Sequence, residues 1–174
     1  MRLKKDFYNR PTLKVAQDLL GKFLVRKIKD RKIAAMITET EAYIGEKDLA
    51  SHARFGPTKR NAVMYGHAGV WYVHLIYGMY WMLNVITEGH GSPAGILIRG
   101  VITEEGEKLN GPGKLTRGMK INKTFNLKSV SAGDLWIEDR GIKIPLRKIK
   151  KTPRIGIDYA EEYKDKLWRF VLEE

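Results

Sequence analysis

The chain has 174 residues and a formal charge of +12, from 32 Lys and Arg against 20 Asp and Glu. That length suits one domain with a proper core, and a charge excess of this size points to a polyanion partner, because each neutralised phosphate releases counterions. The absence of cysteine excludes disulfides, thiolate metal sites and cysteine nucleophiles together.

Met1-Arg2-Leu3-Lys4-Lys5-Asp6 leads into polar sequence without the apolar core of a signal peptide, so an intracellular location is expected. The one run long enough to span a bilayer, residues 68–86, contains His74, Asn84, several tyrosines and a central glycine, and fits paired core strands better than a membrane segment. Residues 11–20 carry apolar side chains at helical spacing, with Pro11 at the start and Gly21 just past the end, which predicts a short amphipathic helix. Residues 22–29 and 32–40 alternate on either side of Asp30-Arg31 and predict a hairpin. On its second strand Glu39, Glu41 and Tyr43 share one face, expected to continue the face of Ile33, Ala35 and Ile37.

Gly45-Glu46-Lys47-Asp48 breaks this strand, and residues 49–54 predict a helical turn carrying His52, ended by Phe55-Gly56-Pro57. A basic cluster, Thr58-Lys59-Arg60-Asn61, follows. Residues 71–76 and 80–87 predict two antiparallel strands joined at Tyr77-Gly78-Met79, with Tyr77 at the tip. Residues 94–101 predict an apolar strand interrupted by Arg99, and an arginine so placed usually pairs a carboxylate. Gly111-Pro112-Gly113 opens a predicted helix to Met119, whose amides, with Lys114, Arg117 and Lys120, offer a seat for a phosphate. Residues 143–154 alternate and are strongly basic, and residues 168–172 predict a last strand.

Gly111-Pro112-Gly113-Lys114 lacks the glycine spacing of a phosphate loop, and the four histidines lack metal-ligand spacing, so neither nucleotide hydrolysis nor a catalytic zinc is expected. Taken singly, each remaining candidate has an ordinary structural role. Glu41 is a strand-end carboxylate, Tyr43 and Tyr77 are amphipathic rings, His52 is a loop histidine, Arg99 an ion-pair partner and Asn84 a backbone-bonded amide. A carboxylate beside aromatic rings on a basic protein points instead to chemistry on a flat, stackable ring such as a nucleobase.

Taken together, Thr38-Glu39-Thr40-Glu41-Ala42-Tyr43-Ile44-Gly45, Ser51-His52-Ala53-Arg54, Ile76-Tyr77-Gly78-Met79-Tyr80, Asn84, Leu97-Ile98-Arg99 and Gly111-Pro112-Gly113-Lys114-Leu115 resemble the alkyladenine (3-methyladenine) DNA glycosylase family in order and spacing. The resemblance runs from about Phe7 to Val171. It implies an α+β fold, a single mixed domain over residues 1–174 around a curved antiparallel sheet with a protruding β-hairpin. It implies a monofunctional DNA glycosylase acting as a monomer on damaged double-stranded DNA, with no cofactor, metal or membrane. Glu41 matches the base that deprotonates water and Arg99 a residue near that water. Tyr43 and His52 match the rings that sandwich the flipped base, Asn84 the residue that crowds the amine of guanine, and Tyr77 the wedge that enters the DNA. His74 stands where a tyrosine stacks on the base in one member of that family, and its protonation would make binding of cationic purines depend on pH. In a prokaryote the expected place of work is the cytoplasm and nucleoid. The competing expectation is a non-catalytic nucleic-acid-binding domain, RNA-binding included, in which Glu41 is structural.

Overall fold

The computed structural model describes residues 1–173. Two short helices open the chain, α1 (Lys5–Tyr8) and α2 (Thr12–Asp18). The second uses Pro11 as its N-cap but is shorter than the apolar spacing predicts. Gly21 lies in left-handed backbone just beyond it and donates its N–H to the Ile37 carbonyl at 2.9 Å, so the chain has already turned toward the sheet.

β1 (Phe23–Ile28) and β2 (Arg31–Ile44) form the expected hairpin, and β2 continues four residues past its predicted end. Then come β3 (Trp71–Ile76), β4 (Tyr80–Ile86), β5 (Ala94–Thr103), β6 (Lys108–Asn110), α3 (Pro112–Gly118), β7 (Leu135–Glu138), β8 (Ile149–Thr152) and β9 (Arg169–Leu172). Helix α1 and strands β6 and β7 have no counterpart among the predicted elements. Most of residues 143–154 are not strand: a single helical turn, Leu146–Lys148, precedes the four residues of β8.

Among the described residues the nine strands make one antiparallel sheet whose main path runs β3-β4-β5-β2-β1-β7, with β6 on β5, β9 on β2 and β8 on β9, giving the α+β class. The long strands β2 and β5 are its axis. Along one edge β2 pairs first with β1 and then with β9, and β5 likewise pairs with β4 and then β6. Trp71, Leu83, Ile96, Ile98 and Phe170 fill the core with α2 and α3 residues. No helix among the described residues is long and apolar enough to cross a membrane.

The pairing register accounts for the bend between β2 and β5. Ile37 pairs with Val101 and Glu39 with Gly100, so Thr38 is an extra residue on β2; Thr40 then pairs with Ile98, so Arg99 is an extra residue on β5. An inserted residue bends a strand and reverses the in-and-out alternation beyond it. Ala35 and Ile37 enter the core before this point, whereas Ala42 does so after it, and Thr40 bonds the Ala16 carbonyl of α2 at 2.9 Å. Glu39, Glu41 and Tyr43 therefore do share a face, but it is the one opposite Ala35 and Ile37. Gly100 sits where a Cβ would lie 3.1 Å from the Glu39 Cβ, and the Arg99 side chain reaches the same side, where its Nε donates to Glu39.

The β3–β4 hairpin ends in the expected turn. Met79 N–H donates to the Ile76 carbonyl at 3.1 Å, and Tyr77 and Gly78 both have positive φ, 52° and 64°, the signature of a type I′ turn. Tyr77 is 81 % exposed. Helix α3 braces the hairpin: a Cβ on Gly113 would strike the Tyr80 ring at 2.6 Å, and the Thr116 hydroxyl donates to the Trp81 carbonyl at 3.0 Å.

Candidate active site

Glu41 is completely buried on β2, yet it is hydrogen-bonded on both oxygens. Tyr43 O–H donates to its Oε2 at 2.8 Å, and the backbone N–H of Ile155, in the loop after β8, donates to its Oε1 at 2.8 Å. Among the described residues the cation against it is Arg99, whose Nε lies 3.5 Å from the same Oε1 and is closer, at 3.0 Å, to Glu39. Burial raises the Glu41 pKa above the ordinary carboxylate value, opposed by Arg99 and by the two donated hydrogen bonds. Burial, then the adjacent Glu41 charge, pushes the Tyr43 hydroxyl well above its usual range, so that Tyr43 is a donor and not a phenolate.

Tyr43 also lines a cleft of about 90 Å³, together with His52, Tyr72, His74 and Asn84. That volume is well below the roughly 300–1,000 Å³ of pockets for drug-sized ligands, and suits a single ring. The imidazoles of His52 and His74 meet edge to face with centroids 4.6 Å apart, and the Tyr72 ring lies 4.7 Å from His74 and 6.0 Å from His52, so the three rings form one cluster. A ring inserted between two others needs their centroids about 7 Å apart, twice the normal carbon contact of about 3.5 Å. His52 and His74 therefore form one wall together.

The wall is held by polar contacts. His52 Nδ1 is 2.9 Å from the Tyr72 hydroxyl, and the Asn84 amide nitrogen donates to the Tyr72 carbonyl at 3.1 Å and lies 3.4 Å from His74 Nδ1. Burial, then the neighbouring Arg60 and Arg54, lowers the pKa of His52. Burial, then His52 and Arg60, pushes His74 down to about 3. This burial works against the pH dependence expected from His74, because it holds the ring's pKa below the range where histidine ordinarily titrates.

The fold brings six of the seven sequence candidates together. Tyr43, His52, His74 and Asn84 line the cleft, and Glu41 and Arg99 adjoin it through Tyr43. Tyr77 stands apart at the hairpin tip, in the turn that follows the strand carrying His74. Among the described residues no group of three or more His, Asp or Glu is placed to hold a metal.

Three parts of the site had no signal in the sequence. One is the Ile155 amide. Another is the fully buried pair of Arg154 and Asp48, bidentate at 2.7 and 2.8 Å, whose guanidinium also donates to the Ala42 carbonyl and lies 4.8 Å from the Tyr43 ring centroid. Asp48 in turn accepts from the amides of Ile44 and Ala50. The third is Arg169 on β9, whose Nε donates to Glu39 Oε1 at 2.6 Å. The basic alternation of residues 143–154 marked Arg154 as part of a charged stretch, with nothing to show that it alone turns inward.

Comparison with known proteins bears on what such a site acts on. The model of the family described as methylpurine-DNA glycosylase matches residues 6–174. A protein of Methanocella arvoryzae that carries the name "Putative 3-methyladenine DNA glycosylase" is 48% identical, over 97% of this chain and 90% of its own length. Proteins of the same name from an Anaeromyxobacter strain and from Clostridium perfringens are 44% and 42% identical, covering 99% and 100% of this chain and 90% and 97% of theirs.

Proposed function

Since the chain belongs to the methylpurine-DNA glycosylase family, a family of DNA glycosylases acting on alkylated bases, we propose that it takes a damaged purine out of the DNA stack and hydrolyses its N-glycosidic bond with a water activated by Glu41. The observation that carries this is Glu41 itself. A carboxylate with no solvent exposure, raised pKa and two fixed donors costs folding energy that a purely structural role would not require, and it sits against a ring-sized cleft.

In this mechanism the flipped base lies between Tyr43 and the imidazole wall of His52 and His74. Water attacks the sugar carbon, Glu41 accepts the water proton, and the carbon–nitrogen bond breaks with its electron pair leaving on the base. For 3-methyladenine or 7-methylguanine the departing base is a cation and leaves neutral. The neutral imidazole of His74 adds no repulsion to such a base, and aromatic faces attract it. Hypoxanthine and ethenoadenine belong to the same range and need a proton on the leaving base. Asn84, whose amide donates to the Tyr72 carbonyl, takes the role of crowding the exocyclic amine of guanine. Tyr77 fills the gap left in the duplex and offsets part of an unstacking cost of a few kcal/mol. No lysine lines the cleft among the described residues, which supports hydrolysis without a Schiff-base intermediate. A repair enzyme of this kind works inside the cell, where the DNA is.

The test is release of free base from methylated duplex DNA. Glu41→Gln should reduce release by about 10²-fold or more while binding to the same duplex persists. Release at the parental rate would remove Glu41 from the chemistry.

A further inference from the structure

Glu39 and Glu41 share a face of β2, but the structure gives them different partners. Glu39 Oε1 accepts from Arg169 Nε at 2.6 Å and from Arg99 Nε at 3.0 Å, and the same Arg99 Nε is 3.5 Å from Glu41 Oε1. One arginine is thus shared by two carboxylates and held nearer the one that does not adjoin the cleft. The paired extra residues Thr38 and Arg99 create this geometry by turning Glu39 and Arg99 to the same side. Arg169 is anchored in its turn by the Thr152 hydroxyl at 3.0 Å.

We propose that Glu39, backed by Arg169, is a positioning residue that holds Arg99 partly away from Glu41 and so sets the pH above which Glu41 can accept the proton of water. This rests on Glu41 being the general base. An arginine paired fully to Glu41 would stabilise its charged form and leave a weak base, whereas loss of the arginine would leave a buried carboxylate protonated at neutral pH. Sharing Arg99 with Glu39 keeps Glu41 between these limits. The other groups facing Glu41 are the Tyr43 hydroxyl from β2 and the Ile155 amide from the loop after β8. Arg154 lies against the Tyr43 ring with its charge matched by Asp48, and His52 and His74 line the cleft that Tyr43 borders.

Two substitutions move the balance in opposite directions. Glu39→Gln frees Arg99 to close on Glu41 and removes a nearby negative charge. Arg169→Gln leaves Glu39 with Arg99 alone, drawing that arginine off Glu41. The measurement is single-turnover release of base from a lesion-containing duplex across pH. Activity should fall on the acid side as Glu41 takes up a proton, and the midpoint of that fall should move down by about one pH unit in Glu39→Gln and up by a similar amount in Arg169→Gln. In the double variant it should lie where Glu39→Gln alone puts it, because Arg169 acts through Glu39. Residues that only supported the fold would lower the rate without moving the midpoints in opposite directions, and unmoved midpoints in both variants would overturn the proposal. If Glu39→Gln fails to fold, the upward shift in Arg169→Gln decides alone. Glu41→Gln is run alongside: if it keeps the acid limb, the base is misassigned, whereas if it abolishes release and the neighbours leave the limb in place, only the role of Glu39 is wrong.

Discussion

Replacing Tyr77 with Asn should make the protein more stable and less active. Tyr77 occupies the first central position of a type I′ turn with φ of 52°, a conformation in which an L-residue with a bulky side chain is disfavoured by roughly 1–2 kcal/mol and which Asn tolerates. Its ring is 81 % exposed, so truncation gives up almost no buried apolar surface to set against that gain. The net expectation is about 1 kcal/mol of added stability, which for a chain of this length raises Tm by roughly 2–4 °C. Strained backbone under an exposed aromatic ring is best explained by use of the ring, here in the proposed role of wedge in the duplex. Loss of the wedge should slow single-turnover base release from duplex DNA by tenfold or more, each factor of ten corresponding to about 1.4 kcal/mol of lost compensation for unstacking. Release from single-stranded DNA, which leaves no paired gap to fill, should change much less. An unchanged or lowered Tm would refute the backbone account, and duplex release at the parental rate would refute the wedge.

Glu41→Gln, besides losing activity, should gain stability at neutral pH. A carboxyl whose folded-state pKa is raised contributes stability that is present below its unfolded pKa and is lost as pH rises through the folded value, so the parent's urea midpoint should decline across that window and the variant's should not. His74 has the opposite sign: with its folded pKa pushed down to about 3 from an ordinary value near 6.5, stability present at neutral pH should be lost as pH falls between these limits. His74→Tyr should flatten that slope, and the His74 ring signals followed by NMR in the parent should not titrate between pH 5 and 8. Asp48→Asn leaves the buried Arg154 guanidinium without its counter-charge, and a loss of roughly 3–5 kcal/mol is expected in urea unfolding; a loss under 1 kcal/mol would show that Arg154 finds a replacement partner.

Why some of this was legible in the sequence and some was not follows from the range of each interaction. The hairpin turn at Gly78 and the helix start at Pro11 are local and depend on residues suited to the backbone conformation they adopt, so the sequence marks them directly, whereas Gly21 lies beyond the helix, which ends at Asp18. The grouping of Tyr43, His52, His74 and Asn84 came from resemblance, because no periodicity joins a strand to a loop and a hairpin. Arg154 and Asp48 are 106 residues apart and meet only because β9 lies against the second half of β2 and brings the loop after β8 with it.

The face assignment of β2 failed for a different reason. Strict alternation places Glu41 on the same side as Ile37, in the core, where a carboxylate would have no donors to meet its charge. One extra residue at Thr38 sends Glu41 to the other side, and the matching extra residue at Arg99 turns its cation the same way. The irregularity that alternation cannot foresee is therefore the device that turns the acid, with its arginine, away from Ala35 and Ile37 and sets it behind Tyr43, which lines the cleft. A strand in which an acidic residue falls on the apolar face by counting is a strand in which a bulge should be sought just before it.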